Sequence, residues 1–313
     1  MSVLISGSLA YDYIMDFPDS FKNHIIPEQI HILNVSFVVD QLKKNFGGTA
    51  GNIAYSLKLL DADPIVLGTL GTDADEYLKH FKKNHIKADY ITVSQQMLSS
   101  SAYITTDKDD NQITAFYPGS SAEALGHSIE SIKETVQMVI IAPTKKELMI
   151  EHAKQAYEQN MPIMFDPGQQ ITALSPRELA LLIGQAKMLI ANDYEMKLIQ
   201  QKTGWNAREL FDHVEVVITT LGEQGSIIAT KDETIEIKPA RAQSVDDPTG
   251  AGDAYRAGFL SGYVRGFDLK TCGQMGSVAA IYAVEHYGTQ NHDFILEDFE
   301  RRYQETYGEE IEL

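Results

Sequence analysis

The stretch Asp247-Pro248-Thr249-Gly250-Ala251-Gly252-Asp253 decides the reading of this chain. It follows a strand-like segment and opens a strongly helical one over 251–265. Glycines at 250 and 252 let the backbone come close to a ligand and leave its N–H groups pointing outward. A helix starting there adds four N–H donors without intrahelical partners, and the positive end of its dipole. Gly250, Ala251 and Gly252 therefore read as an anion cradle. Asp253 is a carboxylate inside a site built for anions. It can act as a base, taking the proton of an attacking hydroxyl while the cradle holds a transferring phosphoryl group. The bland alternative is an ordinary glycine-rich turn before a helix, but the seven-residue pattern is more specific than a lone Gly-x-Gly. No Gly-x-x-x-x-Gly-Lys-Ser/Thr loop occurs, and Tyr255 stands where a dinucleotide fingerprint needs its third glycine. Gly-x-Ser-x-Gly and His-Glu-x-x-His are absent too.

Outward from this motif, short apolar runs alternate with helix-length amphipathic segments, as in a layered α/β domain. Strands are predicted at 3–6, 65–70, 138–142, 163–166, 188–191 and 214–220. A hairpin is predicted from 225–229 and 234–237, and helices at 51–60, 73–84, 251–265 and 269–286. Two stretches break the rhythm. Residues 11–46 and 96–118 have β-type composition, with strands at 101–106 and 112–117 joined by a polar turn. Residues 31–39 also alternate in strand fashion. The predicted division is thus an α/β core of 1–10, 47–95 and 119–313, with a β lid from 11–46 and 96–118. Ligands of open α/β sheets bind outside the carboxyl ends of the strands, where a lid can exclude water. A merely decorated sheet edge is the alternative.

The 313 residues carry 26 Lys+Arg against 44 Asp+Glu, a formal charge of −18. That field repels a nucleic-acid polymer, which is not expected as a partner. Hydrophobic residues make up 43%, enough to bury a core and to exclude general disorder. Cys272 is the only cysteine, so no internal disulfide can form and a reducing compartment is expected. No stretch has the length and apolarity of a membrane span or a secretory signal, so the cytoplasm is the expected location. The nine histidines show no metal-ligand spacing, and His80 and His85 read as solvated surface.

A second signal is Gly47-Gly48-Thr49-Ala50-Gly51-Asn52, whose small residues open a helix. Asn52, one turn in, offers donor and acceptors to a polyol. A helix–sheet packing turn would look similar. Two further landmarks follow in order: Asn192-Asp193-Tyr194-Glu195 and Thr220-Leu221-Gly222-Glu223-Gln224-Gly225. Asn192 and Glu195 also have the spacing of a helix capping box.

With these motifs the sequence resembles the ribokinase (PfkB) family of carbohydrate and nucleoside kinases, over nearly its whole length. Within it, Ser6–Asp12, His31–Phe37, Gln112–Phe116 and Phe165–Gln169 are most similar to bacterial adenosine and broad-specificity nucleoside kinases. The resemblance implies a three-layer α/β/α core with a mostly parallel sheet and a small β-sheet lid. It implies transfer of phosphate from ATP to the 5′-hydroxyl of a nucleoside, with adenosine expected. A ribose-type sugar kinase and a non-catalytic nucleoside sensor are the rivals. It assigns Asp12, Gly48 and Asn52 to the ribose hydroxyls, and Asp253 to the base with Gly250–Gly252 as its anion hole. Gln112, Phe116, Phe37 and Gln169 are expected at the nucleobase. Asn192, Thr220, Gly222 and Gly225 are expected at ATP, whose adenine should lie between the Gly222 turn and the 276–287 helix. Glu195 would act on Mg²⁺ through water, since that ion keeps much of its hydration. A monovalent cation is a further candidate cofactor. A homodimer through the lid is a candidate assembly, because exposed strand edges need cover.

Overall fold

The computed structural model describes residues 1–26, 32, 34–109, 111–123 and 126–313. In chain order its strands are β1 (Ser2–Ser6), β2 (Ala10–Asp16), β3 (Gln41–Gly47), β4 (Asp63–Leu70), β5 (Ile91–Val93), β6 (Ser100–Thr106) and β7 (Gln112–Tyr117). They continue as β8 (Met138–Ile141), β9 (Ile163–Phe165), β10 (Met188–Asn192), β11 (Val216–Thr220), β12 (Ser226–Ala229) and β13 (Thr234–Ile237). The helices are α1 (Thr49–Leu59), α2 (Asp75–Lys83), α3 (Lys146–Glu158), α4 (Pro176–Gln185), α5 (Asp193–Thr203), α6 (Ala251–Arg265), α7 (Leu269–Val284) and α8 (Leu296–Tyr307).

Nine strands form one sheet in the order β13-β12-β11-β10-β9-β8-β1-β4-β5. Neighbours from β5 through to β11 are parallel, and β12 and β13 close the far edge antiparallel. Alternation along β1 sets the layers. Val3 and Ile5 pack with Ile53, Leu57, Phe81 and Phe259, on α1, α2 and α6. Leu4 packs on the opposite face with Met149, Leu182 and Ile199, on α3, α4 and α5. Both faces are covered, so the parallel strands read as continuous apolar runs rather than alternating ones. This is the ribokinase-like α/β/α architecture expected from the sequence.

The chain leaves β1 in both directions, toward β4 and toward β8. That reversal opens a crevice at the carboxyl ends of the strands. Over it stands a four-stranded sheet in the order β3-β2-β6-β7, with β2 and β6 parallel and the outer pairs antiparallel.

One strand expectation fails. Residues 34–39 form no strand, and His31 and Leu33 lie outside the described residues. The strand in this region is β3, whose register runs from Ala10 opposite Gly47 to Asp16 opposite Gln41. Its Lys43-Lys44 pair hides the strand from an apolar pattern, because an exposed edge strand needs pairing more than hydrophobicity. Among the described residues, no helix is long and apolar enough to cross a membrane.

Candidate active site

The crevice holds a cleft of about 550 Å³ lined by Asp12, Gly48, Asn52, Phe116, Gln169 and Asp253. Six residues singled out from five separate stretches of sequence thus face one space. Gly48 caps α1 at φ +86, and a Cβ there would stand 2.6 Å from the Ser8 carbonyl oxygen. Only glycine fits both the dihedral and the gap. A Cβ at Gly47 would stand 2.1 Å from Asp12 Oδ2. These two glycines let the Asp12 carboxylate and the start of α1 occupy the same corner. Burial pushes the Asp12 carboxyl up to about 7, helped by the negative charges of Asp253 and Asp247.

Asp253 sits in the first turn of α6, on the floor of the cleft. Asn52 Nδ2 donates to its Oδ2 at 2.8 Å. Burial raises the Asp253 carboxyl to about 6, while the nearby Arg256 charge and the Asn52 hydrogen bond pull the other way. Gly250 begins the helix at φ +82 with no side chain capping it, which keeps the N-terminal donors uncovered by side chains. The loop before it is pinned by Asp247, whose carboxylate accepts from the N–H groups of Thr249 at 2.9 Å and Gly288 at 3.0 Å.

The sequence reading missed what supports these groups. Arg256 is buried beneath the cradle. It donates to both oxygens of buried Asp166, Nε to Oδ2 at 2.5 Å and Nη2 to Oδ1 at 2.9 Å. Its Nη1 donates to the Gly252 carbonyl at 2.9 Å. Gln290 donates from Nε2 to Asn52 Oδ1 at 3.0 Å and to the Tyr77 hydroxyl at 2.9 Å. His80 also belongs to this cluster. It is half-buried, stacked on Phe46 with centroids 3.9 Å apart, and hydrogen-bonded through Nε2 to Gln290 Oε1 at 2.9 Å. This corrects its reading as solvated surface. A polar residue at a strand end, as Asp166 is, was the available clue. Nothing local marks Gln290 or His80.

Two nucleobase candidates fall elsewhere. Gln112 pairs with Thr106 at the far end of the β6–β7 hairpin, four residues along β7 from Phe116. That is about 13 Å at the rise of a strand, too far to share the cleft. It lines instead a separate depression with Asp246 and Thr249. Phe37 packs into an aromatic cluster with Phe17 and Phe21, at 4.8 and 5.1 Å between centroids. It is occupied by packing rather than offered to a ligand. Phe116, by contrast, is 55% exposed, which leaves its ring open for stacking.

Asn192 and Glu195 form a reciprocal capping box on α5. The Glu195 N–H donates to Asn192 Oδ1 at 2.8 Å, and the Asn192 N–H donates to Glu195 Oε2 at 2.9 Å. Glu195 also lies within electrostatic reach of Asp166 and Arg256, and burial raises its carboxyl. Asn192 and Thr220 are direct partners at the ends of β10 and β11. The Gly222 turn at φ +57 and Gly225 at φ +90 follow at once. A Cβ at Gly225 would stand 2.1 Å from the Ile237 carbonyl oxygen. A Cβ at Gly276 would stand 2.9 Å from the Tyr255 carbonyl oxygen, so that glycine serves the α6–α7 crossing. Tyr255 is itself buried, with its hydroxyl 2.7 Å from Ser226 Oγ.

An uncapped helix start, a carboxylate beside it and a polar corner thus share one cleft. The chain matches the pfkB family of carbohydrate kinases over residues 19–294, and it belongs to that family. It is an ATP-dependent phosphotransferase. A nucleoside kinase of Methanocaldococcus jannaschii is 34% identical over 301 residues, covering 94% of this chain and 95% of that protein. The structure of Burkholderia thailandensis nucleoside kinase in complex with inosine superposes with a TM-score of 0.91 at 38% identity, covering 98% of this chain and 99% of that one. The same kinase in complex with ADP-inosine gives 0.89 at 38% identity, covering 98% and 97%.

Proposed function

We propose that this kinase phosphorylates the 5′-hydroxyl of a nucleoside. The observation that carries the reading is the mixed lining of the cleft. Asp12, Gly48, Asn52 and Asp253 give it polar groups and a close backbone approach, and Phe116, Pro118, Pro143 and Ala173 give it apolar ones, beside Gln169, Lys145 and Lys146. A free sugar needs only the polar groups, whereas a nucleoside uses both kinds.

In this reading Asp12 accepts from two adjacent ribose hydroxyls, worth roughly 1.5–3 kcal/mol of binding. Asn52 contributes a further polar contact. Asp253 takes the 5′-hydroxyl proton as the oxygen attacks the γ-phosphoryl group, and the Gly250–Gly252 backbone holds the transferring oxygens. Such a transfer needs positioning and charge neutralisation more than covalent chemistry by the protein. Asn192, Thr220, Gly222 and Gly225 form the ATP side. The Glu195 carboxylate, with Oε2 held by the Asn192 N–H, fits Mg²⁺, which takes phosphate oxygens and water with one or two carboxylates; Glu195 would hold it through water. When bound, the ion neutralises charge on the phosphates. The four-stranded sheet acts as a lid inserted in the core, excluding water from the transfer.

Adenosine is the nucleoside expected from sequence. Inosine is the second candidate, supported by the relative whose structure holds it. The lid is also the proposed dimer surface. Strand β7, with Ile113, is exposed along its length, as are Tyr103 on the adjacent β6 and Leu42 on the opposite edge strand β3. Light scattering would test this, with a monomeric mass as the contrary result.

A coupled ADP-release assay across nucleosides and sugars tests the function. Exchanging potassium for sodium tests the monovalent cation. Turnover on ribose or fructose and on no nucleoside would favour a sugar kinase. Nucleoside binding without turnover would favour a sensor.

A further inference from the structure

We propose that Gln290, held by His80, is a positioning residue that aims the amide nitrogen of Asn52 at Asp253. The inference rests on the reading of Asp253 as the base. It begins at a group with only one choice. The Gly47 carbonyl can only accept, and the Tyr77 hydroxyl donates to it at 2.6 Å. The single Tyr77 hydrogen is thereby committed, so the Tyr77 oxygen must accept from Gln290, at 2.9 Å. That places the Gln290 nitrogen inward, where its second hydrogen meets Asn52 Oδ1 at 3.0 Å. Asn52 then has only its NH₂ group to present to Asp253 Oδ2, at 2.8 Å.

His80 locks the other half of the Gln290 amide. Its Nε2–H donates to Gln290 Oε1 at 2.9 Å, and its Nδ1 accepts from Asn84 Nδ2 at 3.3 Å. Burial disfavours the charged ring, in keeping with a neutral Nε2–H tautomer. Stacking on Phe46 and on Tyr55, at 3.9 and 5.9 Å between centroids, fixes the ring plane. If Gln290 turned over, its oxygen would face Asn52. The Asn52 amide would then turn too, and set its oxygen against the Asp253 carboxylate. Two acceptors would meet, and the ionised base would be disfavoured. The network therefore selects the hydrogen-bond polarity that favours an ionised base. It spans 238 residues of sequence between Asn52 and Gln290.

The other groups facing Asp253 are Arg256 on α6, Asp166 after β9, Asp12 on β2 and Tyr77 on α2. Lys83 on α2 faces His80. None of these is altered by the test.

The test compares His80→Phe, Gln290→Met and His80→Gln with wild type. His80→Phe keeps a ring over Phe46 and removes the N–H; His80→Gln restores a donor of similar reach. Melting temperatures identify which variants fold, and His80→Phe carries the test if Gln290→Met does not. The readouts are kcat, KM for ATP and the acid limb of the kcat–pH profile. We expect kcat to fall roughly tenfold in His80→Phe and Gln290→Met. KM for ATP should stay unchanged, and the acid limb should move up by about one pH unit. His80→Gln should recover most of the loss. Unchanged kcat and acid limb in folded variants, or a His80→Gln no better than His80→Phe, would overturn the proposal. Whichever acceptor wild type turns over is used throughout. A sugar acceptor would thus defeat the functional reading and leave this test intact.

Discussion

Asp253→Asn separates catalysis from binding and from stability in one substitution. Asparagine keeps an oxygen that can accept from Asn52 Nδ2, now 2.8 Å from the carboxylate, so the shape of the site is retained. It cannot take a proton. A general base contributes about 10²–10⁴-fold, so kcat should fall by at least roughly 10²-fold while the nucleoside dissociation constant changes little. Stability should move the opposite way. The carboxyl is raised from 3.8 to about 6 in the fold. The folded state therefore holds its proton more tightly than the unfolded chain, and ionised Asp253 weakens the fold. The weakening is absent below about pH 4, grows as pH rises through 6, and is complete above it. Two pH units correspond to about 3 kcal/mol at most, so Asp253→Asn should stabilise the protein by about 1–3 kcal/mol at pH 8 and by nothing at pH 4. ADP release gives kcat, calorimetry gives nucleoside affinity, and thermal melts at the two pH values give the stability difference. Turnover within tenfold of wild type would refute the assignment of the base. A variant less stable at pH 8 would refute the buried-charge argument.

Three further outcomes follow from the same geometry. For wild type, kcat/KM should fall on the acid side between pH 7 and 6, because Asp12 and Asp253, raised to about 7 and about 6, must both be ionised; a profile flat to pH 5 would contradict this. Gly47→Ala places a methyl 2.1 Å from Asp12 Oδ2, so steady-state kinetics should show the nucleoside KM rising roughly tenfold or more while KM for ATP holds. Arg256→Met leaves Asp166 as an unpaired buried charge, and denaturant unfolding should show a loss of about 3–5 kcal/mol.

Much of this molecule is legible in its sequence. The buried strands are short apolar runs because helices cover both faces of the sheet, and β1, β8 and β10 lie within a residue or so of their expected bounds. The glycine motifs are legible for a different reason. At Gly48 and Gly250 the backbone takes positive φ and another chain segment comes close, which no other residue type allows. Strand β3 was hidden because its partner β2, not its own composition, makes it a strand. Gln112 was misplaced because four residues of a strand carry a side chain about 13 Å, a distance that motif matching ignores. The Arg256–Asp166 pair and the Gln290 network are long-range contacts between ordinary polar residues, 90 and 238 positions apart. Such partners become visible only when the chain is folded. The acidity is resolved by the same view. A charge of −18 does not exclude ATP, because the phosphates would meet backbone donors at Gly250–Gly252 rather than the surface field.

The central claim is that the cleft passes a phosphoryl group to a nucleoside 5′-hydroxyl. The most direct test is to incubate the enzyme with ATP, Mg²⁺ and adenosine or inosine, and to separate the products by chromatography. Equal amounts of ADP and the nucleoside 5′-monophosphate are predicted, with no transfer to the matching 5′-deoxynucleoside. ADP formed with free ribose or fructose, and no 5′-monophosphate from either nucleoside, would contradict the account.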